Sequence, residues 1–243
     1  MLVATGSIIY LNRAYAHIYN FIGAKNLSQP SMEQEFHFSG AVKTEKTTVR
    51  YAALGDSLTA GVGAVDVKNS FPYLIADKLS AKSNVELLNL GEPGAVTNDV
   101  VKNQLDKAIT FQPNLVTVLI GINDIHNRVS LADFKISFNK TISSLTLKTK
   151  ARIIIINIPL LGTTDLLLPP FRLYFNNQTK KFNAAIKEIA AANNVCIVNL
   201  YNQTKNQFSK DLSVYAADHF HPSDDGYRLW SQIIYANSNC RPD

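Results

Sequence analysis

The feature that most constrains the fold is an alternation, repeated five times, between short apolar runs and segments of helical length. The runs at 115–120 and 152–158 are dominated by Ile, Val and Leu, as expected for strands buried on both faces of a sheet. Such alternation predicts an α/β domain with a doubly wound parallel sheet and helices on both of its faces. The predicted strands cover residues 51–54, 85–90, 115–120, 152–158 and 195–200, and the predicted helices cover about 70–82, 97–110, 130–147, 174–193 and 223–236.

Residues 1–48 precede this pattern and form a predicted N-terminal extension to a domain at 49–243. Residues 2–11 are mostly apolar, and apolar residues then recur at helical spacing, which predicts a helix. Three interpretations stay open: a helix packed on the domain, an interfacial anchor that makes peripheral membrane contact, and the remainder of a signal-anchor segment. Residues 25–48 are polar and contain a proline and a glycine, which predicts a linker.

Charge and cysteine content exclude little else. The chain has 24 Lys and Arg against 19 Asp and Glu, a formal charge of +5, and its basic residues are scattered. Nucleic acid is therefore not an expected partner, because no basic run interleaved with aromatic residues is present. Two cysteines, Cys196 and Cys240, fix no redox compartment, and their pairing stays open.

Short motifs of glycines and polar residues follow three predicted strands, at the edge where doubly wound sheets bind ligands. The first strand leads into Gly-Asp-Ser, which places the hydroxyl and backbone N–H of Ser57 at the top of the sheet. The second ends in a loop with Gly91 and Gly94, either of which can present an N–H donor. The third ends in Gly-Ile-Asn-Asp, where the Asn123 amide can donate to an oxyanion and Asp124 can tie down the loop. Taken alone, each signal is also typical of an ordinary turn.

A histidine with an acidic partner precedes the last predicted helix. Asp218 lies three residues before His221, and a carboxylate in such a tight loop can orient the imidazole of a general base. His219 lies between them, so Asp218, His219 and His221 are also an alternative set of metal ligands. Catalytic zinc usually has three well-placed protein ligands, and the sequence holds no further Cys or His cluster, so neither a metal nor a cofactor is expected.

These four blocks, in this order and spacing, resemble those of the GDSL/SGNH hydrolases, a family of lipases and acylhydrolases. The resemblance covers about residues 49–237 and includes the residues that flank the serine, 53–61 (ALGDSLTAG). It implies the flavodoxin-like three-layer α/β/α fold of that family, with a five-stranded parallel sheet. It also implies that Ser57 is the catalytic nucleophile and that Asp218 and His221 complete its triad.

The same resemblance implies which groups bind the oxyanion. Gly94 and Asn123 match the oxyanion glycine and asparagine of the family. Gly91 competes with Gly94 for this role, and Gly94 is preferred because it stands closer to the start of the next predicted helix. Ile122 stands where many members carry glycine, a departure expected to alter the pocket wall and not the chemistry.

The resemblance implies a serine esterase or lipase-like acylhydrolase that cleaves carboxylic esters, with lysophospholipase or thioesterase activity among the forms considered. Three alternatives stay open: an acyltransferase, a carbohydrate O-deacetylase and a non-catalytic binding module. The apolar segment at 159–171 is long for a connection. Two interpretations stay open: an acyl-binding loop, which favours a lipid-like small-molecule ester, and simple packing of a loop and helix start against the domain. Export or membrane association is favoured over a cytoplasmic location, because such relatives are often exported and the N-terminus is apolar.

Overall fold

The computed structural model describes residues 2–23, 27, 30–31, 33–40 and 48–237 of the chain. Ten α-helices and six strands lie in these residues, and a π-helical turn at Val100–Gln104 joins two of the helices. In chain order they are α1 (Leu2–Gly23), β1 (Gln34–Phe38), β2 (Thr48–Gly55), α2 (Ser57–Ala60), α3 (Phe71–Ser80), β3 (Asn84–Asn89), α4 (Thr97–Asp99), α5 (Leu105–Thr110), β4 (Leu115–Leu119), α6 (Ile122–His126), α7 (Leu131–Lys148), β5 (Arg152–Ile156), α8 (Phe171–Ala192), β6 (Cys196–Val198), α9 (Leu200–Phe208) and α10 (Asp224–Ala236).

The strands form one twisted sheet in the order β1-β3-β2-β4-β5-β6. Strands β2 to β6 are parallel to one another, and β1 pairs with β3 in the antiparallel direction. Every residue of β4 is buried, as its apolar sequence predicts for a strand covered on both faces. The predicted doubly wound α/β fold is confirmed.

The prediction of five strands and a linker over residues 25–48 is wrong at residues 34–38, which form the sixth strand at the edge of the sheet. Phe36 and Phe38 alternate with exposed neighbours and contact the ring of Tyr73, with ring centroids 5.1 and 4.9 Å away. The period-two signal was therefore present in this segment. It was short and interrupted by polar residues, which is common in edge strands with one solvated face.

Helices cover the two faces of the sheet in separate groups. Helices α3 and α10 pack together, and α7 packs against both α5 and α8. The ring of Trp230 stacks on Phe208 at 5.5 Å, and Phe134 contacts both Phe138 and Phe182. These large apolar side chains fill the space between sheet and helices, and their burial is the main contribution to stability.

Helix α9 was not predicted, and the strand before it is shorter than the predicted 195–200. The helix begins after Asn199, whose side chain accepts a hydrogen bond from the N–H of Asn202, the usual role of an N-cap. It buries Leu200, Thr204 and Phe208, which are spaced four residues apart on one face. Only two of these three side chains are apolar, so the helical period is weak in the sequence.

Helix α1 buries Ala14 and Ile18 and contacts the segment that leads into α8. No helix in the part of the chain described by the structure has the length and apolarity needed to cross a membrane. Cys196 is buried in β6 and is disulfide-bonded. Cys240 lies outside the described residues.

Candidate active site

The serine lies at the turn between β2 and α2. Asp56 caps α2, because its Oδ1 accepts a hydrogen bond of 3.0 Å from the N–H of Leu58. Ser57 is therefore the first residue of the helix, where a backbone N–H has no partner within the helix. That N–H donates to no acceptor among the residues that the structure describes. The Ser57 hydroxyl and N–H both lie at the carboxyl edge of the sheet, and the N–H is available to a ligand.

A histidine and an aspartate approach this serine from the loop before α10. The Nε2 atom of His221 lies 3.0 Å from the Oγ of Ser57, and its Nδ1 lies 2.5 Å from Oδ2 of Asp218. All three residues are buried. A carboxylate only accepts hydrogen bonds, so the proton lies on Nδ1 and Nε2 is left to accept from the serine hydroxyl.

The environment of Asp218 keeps it ionised. Burial alone would raise the pKa of its carboxyl, but the hydrogen bond and charge of His221 and the backbone N–H groups of Phe220 and His221 lower it overall. Both N–H groups donate to Oδ1 at 3.0 Å. An ionised, fully hydrogen-bonded carboxylate stabilises the imidazolium that forms when the histidine takes a proton.

The two candidate glycines in the loop after β3 have different environments. Gly91 donates its N–H to Oδ1 of Asn89, and a Cβ at Gly91 would lie 2.3 Å from the backbone N of Ala60. Gly91 is therefore required for close packing of the loop on α2. Gly94 has a φ of 84°, has open space where a Cβ would lie, and its N–H has no acceptor among the described residues. Gly94 is the glycine with a donor to offer a ligand.

Asn123 lies in the first turn of α6, directly after β4. Its Nδ2 donates a hydrogen bond of 3.0 Å to the carbonyl of Ala95, which fixes the amide beside the Gly94 loop. An amide nitrogen carries two hydrogens, so one remains available for a ligand. Strand β2 lies between β3 and β4, and its parallel pairing with both brings Ser57, Gly94 and Asn123 to the same edge.

Asp124 joins the third loop to the second. Its Oδ2 accepts hydrogen bonds of 3.0 Å from both the N–H and the hydroxyl of Thr97. Burial raises the pKa of Asp124 to about 6, against the lowering effect of the hydrogen bonds from Thr97. Thr97 and Asp124 are 27 residues apart in the chain. The hydrogen bonds between them hold the two loops at a fixed separation.

Asp56 is buried beneath the serine, and only one of its carboxyl oxygens is satisfied. Its Oδ2 has no hydrogen-bond partner in the described part of the chain. Burial raises the pKa of Asp56 to about 7; the hydrogen bond from Leu58 opposes this rise, and the charge of Asp124 adds to it. Folding therefore favours the protonated form of this side chain.

His219 turns away from the triad. Its Nδ1 lies 2.7 Å from Oδ2 of Asp165, a residue of the long segment between β5 and α8. Asp218, His219 and His221 therefore do not converge on one point. Among the described residues, no group of three or more His, Cys, Asp and Glu side chains is placed to hold a metal ion.

A cavity of about 620 Å³ lies beside the triad, under the predicted acyl-binding loop. Ile122 and Phe220 line it and directly precede Asn123 and His221 in the chain, so the cavity adjoins the catalytic groups. Leu166 is fully buried and serves packing, whereas other leucines of the loop face the cavity. Its lining mixes apolar side chains (Leu160, Leu161, Leu167 and Phe175) with polar and charged ones (Thr179, Asn176, Tyr201 and Arg172).

His126 is a site residue that sequence reasoning missed. Its ring contacts Phe175 and Phe220, with centroids 4.9 and 5.4 Å away, and it lines the cavity. Burial lowers the pKa of His126 to about 4, with a further contribution from His221, so the imidazole is neutral at physiological pH. Its position three residues after Asn123 on a helix was the available signal, since such residues share a face.

The model of the GDSL-like Lipase/Acylhydrolase family matches residues 53–229 of this chain. No curated protein is significantly similar to it in sequence. Among solved structures, a lipase/acylhydrolase from Enterococcus faecalis superposes with a TM-score of 0.65 at 24% identity, over 80% of this chain and 98% of that one. The acetylxylan esterase Axe2 from Geobacillus stearothermophilus gives 0.62 at 17% identity, over 84% and 97% of the two chains. A lipolytic protein of the G-D-S-L family from Veillonella parvula gives 0.62 at 20% identity, over 78% and 97%.

A serine, a histidine and an aspartate joined by hydrogen bonds at the carboxyl edge of an α/β sheet are an arrangement that hydrolases with acyl-transfer chemistry use. The match of the family model is consistent with that class, since it spans all four site loops. This chain belongs to the GDSL-like lipase/acylhydrolase family. The three solved structures are each under 25% identical to this chain, and their similarity shows that the fold is shared.

The raised pKa of Asp56 predicts a pH dependence of stability. The folded protein binds this proton more tightly than the unfolded chain does, so Asp56 lowers stability as pH rises from about 4 to about 7. Relative to Asp56→Asn, the free energy of unfolding of the wild type should fall across this range by about 4 kcal/mol at most. Urea unfolding at a series of pH values measures this difference.

Asp77→Asn is the matched control, because the Asp77 side chain is exposed on α3. Its unfolding free energy should follow that of the wild type at every pH. Parallel curves for the wild type and Asp56→Asn would contradict the assignment of this carboxyl as a buried acid that is protonated on folding.

Proposed function

We propose that this protein is a serine hydrolase that cleaves carboxylic esters through an acyl intermediate on Ser57. The observation that carries the proposal is the chain of two hydrogen bonds from Ser57 to His221 to Asp218, 3.0 and 2.5 Å long. A serine hydroxyl is a weak nucleophile at its ordinary pKa and requires an adjacent base. The geometry supplies that base and a buried carboxylate to orient it.

The acylation half of the reaction follows from these contacts. The Nε2 atom of His221 takes the hydroxyl proton as the Ser57 oxygen forms a bond to the ester carbonyl carbon. The electron pair of the carbonyl bond moves to its oxygen and gives an oxyanion. When the carbonyl reforms, the bond to the alcohol oxygen breaks and His221 donates its proton to that oxygen. The alcohol leaves, and the acyl group remains on Ser57.

Deacylation reverses the roles with water in place of the alcohol. His221 takes a proton from water as the water oxygen attacks the acyl carbon, and later returns a proton to the Ser57 oxygen. The carboxylic acid leaves and the serine is restored. Asp218 stays ionised throughout, holding the imidazole by its Nδ1 proton.

We assign the oxyanion to three donors: the N–H of Ser57, the N–H of Gly94 and the amide of Asn123. The two N–H groups have no other acceptor in the described structure, and the amide is held in place by Ala95. Donors fixed before the reaction lower the barrier because they need no reorganisation when charge develops.

The cavity beside the triad supports a substrate with a small or medium apolar group. Its apolar wall comes from the loop between β5 and α8 and from Phe175 and Phe220. A volume of about 620 Å³ is within the range of small-molecule sites. This wall supports the lipid-like acyl ester, with lysophospholipase and thioesterase activities as narrower forms of the same chemistry.

A carbohydrate O-deacetylase is the second candidate, and the polar residues of the cavity lining favour it. Thr179, Asn176 and Tyr201 line the cavity, and the Tyr201 hydroxyl donates a hydrogen bond of 2.5 Å to the Asn176 side chain. Polar groups placed in a ring-lined cavity can bind the hydroxyls of a sugar. The fold shared with an acetylxylan esterase is consistent with this candidate.

Hydrolysis of p-nitrophenyl esters of increasing chain length, beside acetylated xylooligosaccharides, tests the proposal. Ser57→Ala should lower turnover by about 10⁴-fold or more on every substrate the wild type cleaves. Ser80→Ala, which removes a surface serine of α3, should keep the activity of the wild type. Activity that survives in Ser57→Ala would refute the acyl-serine mechanism.

The profile of the wild type decides between the two candidate substrates. Higher kcat/KM for medium-length acyl chains than for acetyl esters supports the lipid-like ester. Efficient release of acetate from the oligosaccharides, with poor turnover of longer acyl chains, supports the deacetylase. Transfer of the acyl group to added glycerol in preference to water would instead identify an acyltransferase.

Removal of one oxyanion donor should affect the chemical step selectively. Asn123→Ala should lower kcat by about 10²–10³-fold with little change in KM, because the donor acts mainly on the transition state. Asn127→Ala, an exposed position at the end of the same helix, is the matched control and should leave kcat unchanged. An Asn123→Ala enzyme with the kcat of the wild type would contradict this assignment.

A further inference from the structure

Helix α1 and the first turns of α8 expose an unusual number of large apolar side chains. Leu173 is 66% exposed and Ile9 is 50% exposed. Ala14 and Ile18 are buried and hold α1 against the domain, while Ile9 and Leu173 face solvent. We call these residues the α1–α8 surface: Ile9, Tyr10, Leu11, Tyr15, Leu173 and Tyr174.

Direct contacts join the two halves of this surface. The Tyr10 hydroxyl donates a hydrogen bond of 2.7 Å to the carbonyl of Pro169, and the ring of Tyr15 lies 6.0 Å from that of Phe171. The Nε2 of His17 also donates to the carbonyl of Asp165 at 2.9 Å. Helix α1 is therefore fixed beside the start of α8, and the exposed groups lie on neighbouring turns.

A groove of about 300 Å³ runs inward from this surface. Exposed Tyr15 and Tyr174 line it together with buried Ile125 and half-buried His126. Ile125 and His126 belong to α6, the helix that also carries Asn123. The groove therefore connects the α1–α8 surface with the active-site helix.

The charged side chains of α1 and of the first turns of α8 have one sign. The sequence contains no Asp or Glu before Glu33, and none between residues 171 and 187. Arg13 and Arg172 are exposed on these two helices, and Arg128 is exposed beside the groove. Asp165, in the loop before α8, is paired with His219, and Asp211 lines the same cavity as Arg172. Exposed apolar groups, tyrosines and arginines on helical segments without acidic residues are the composition that binds an anionic membrane interface.

We propose that the α1–α8 surface docks on an anionic phospholipid bilayer and that the groove admits an ester from that bilayer to the active site. The docking stands on the exposed residues and their charge alone. The identification of a membrane lipid ester as substrate rests in addition on the proposed function.

Co-sedimentation of the full chain with phospholipid vesicles tests the docking. The wild type should bind phosphatidylcholine vesicles that contain about one third phosphatidylglycerol at least about tenfold more tightly than pure phosphatidylcholine vesicles. Ile9→Asp/Leu173→Asp should lower this binding by about tenfold or more, because it places acids in the apolar contact. Ile136→Asp/Leu147→Asp is the matched control, since these α7 residues are 68% and 84% exposed, and it should bind as the wild type does.

A charge variant tests the same surface without removing an apolar group. Arg13→Glu should weaken binding to the anionic vesicles by about tenfold, whereas Lys140→Glu on α7 should not. Failure of the wild type to bind anionic vesicles would overturn the docking proposal, as would equal loss in both aspartate variants. A dimer that Ile9→Asp/Leu173→Asp dissociates, without vesicle binding, would show that a second copy covers this surface.

Hydrolysis of water-soluble p-nitrophenyl butyrate by the wild type separates the two claims. Vesicle binding without any ester hydrolysis would refute the proposed function and leave the docking surface intact. Hydrolysis in solution without vesicle binding would refute the docking surface and leave the serine hydrolase intact. Release of fatty acid from vesicle lipid, lost in Ile9→Asp/Leu173→Asp, is the result expected when both hold.

Discussion

The parallel pairing of β2 with strands on both of its sides is the constraint on which the site depends. Because β3 and β4 run in the same direction as β2, the three loops that follow them open at one edge of the sheet. Ser57, Gly94 and Asn123 come from these loops. If β3 and β4 ran antiparallel to β2, the loops with Gly94 and Asn123 would open at the edge opposite Ser57.

Three buried aspartates show how the same side chain serves different purposes in this small region. Burial would raise the pKa of Asp218, but His221 and two backbone N–H groups lower it overall, so this carboxylate stays charged beside the imidazole. Asp124 and Asp56 have raised pKa values and hold the loops and the helix cap in place. Each of them leaves one carboxyl oxygen without a partner among the described residues. These two raised pKa values lower the free energy of unfolding near neutral pH, while the same side chains fix the geometry around Ser57.

Much of this architecture could be predicted from sequence because its signals are local. Buried parallel strands are continuous apolar runs, and loops at strand ends carry short polar motifs. The edge strand at 34–38 and helix α9 were missed because each has few apolar residues at the expected period. The roles of Gly91 and Gly94 differ only in three dimensions, through the packing of Gly91 on Ala60. The position of His126 in the cavity wall, in contact with Phe220, is likewise a property of the packed structure.

The central claim is that Ser57 is activated by His221 and forms a covalent bond with substrate. Reaction of the full chain with an alkyl fluorophosphonate, followed by peptide mass spectrometry, tests it most directly, because the serine oxygen displaces fluoride and keeps the phosphonyl group. The account predicts one phosphonylated residue, Ser57, with labelling lost in a folded His221→Ala variant. A label on another residue, or a folded wild type that takes no label, would contradict it.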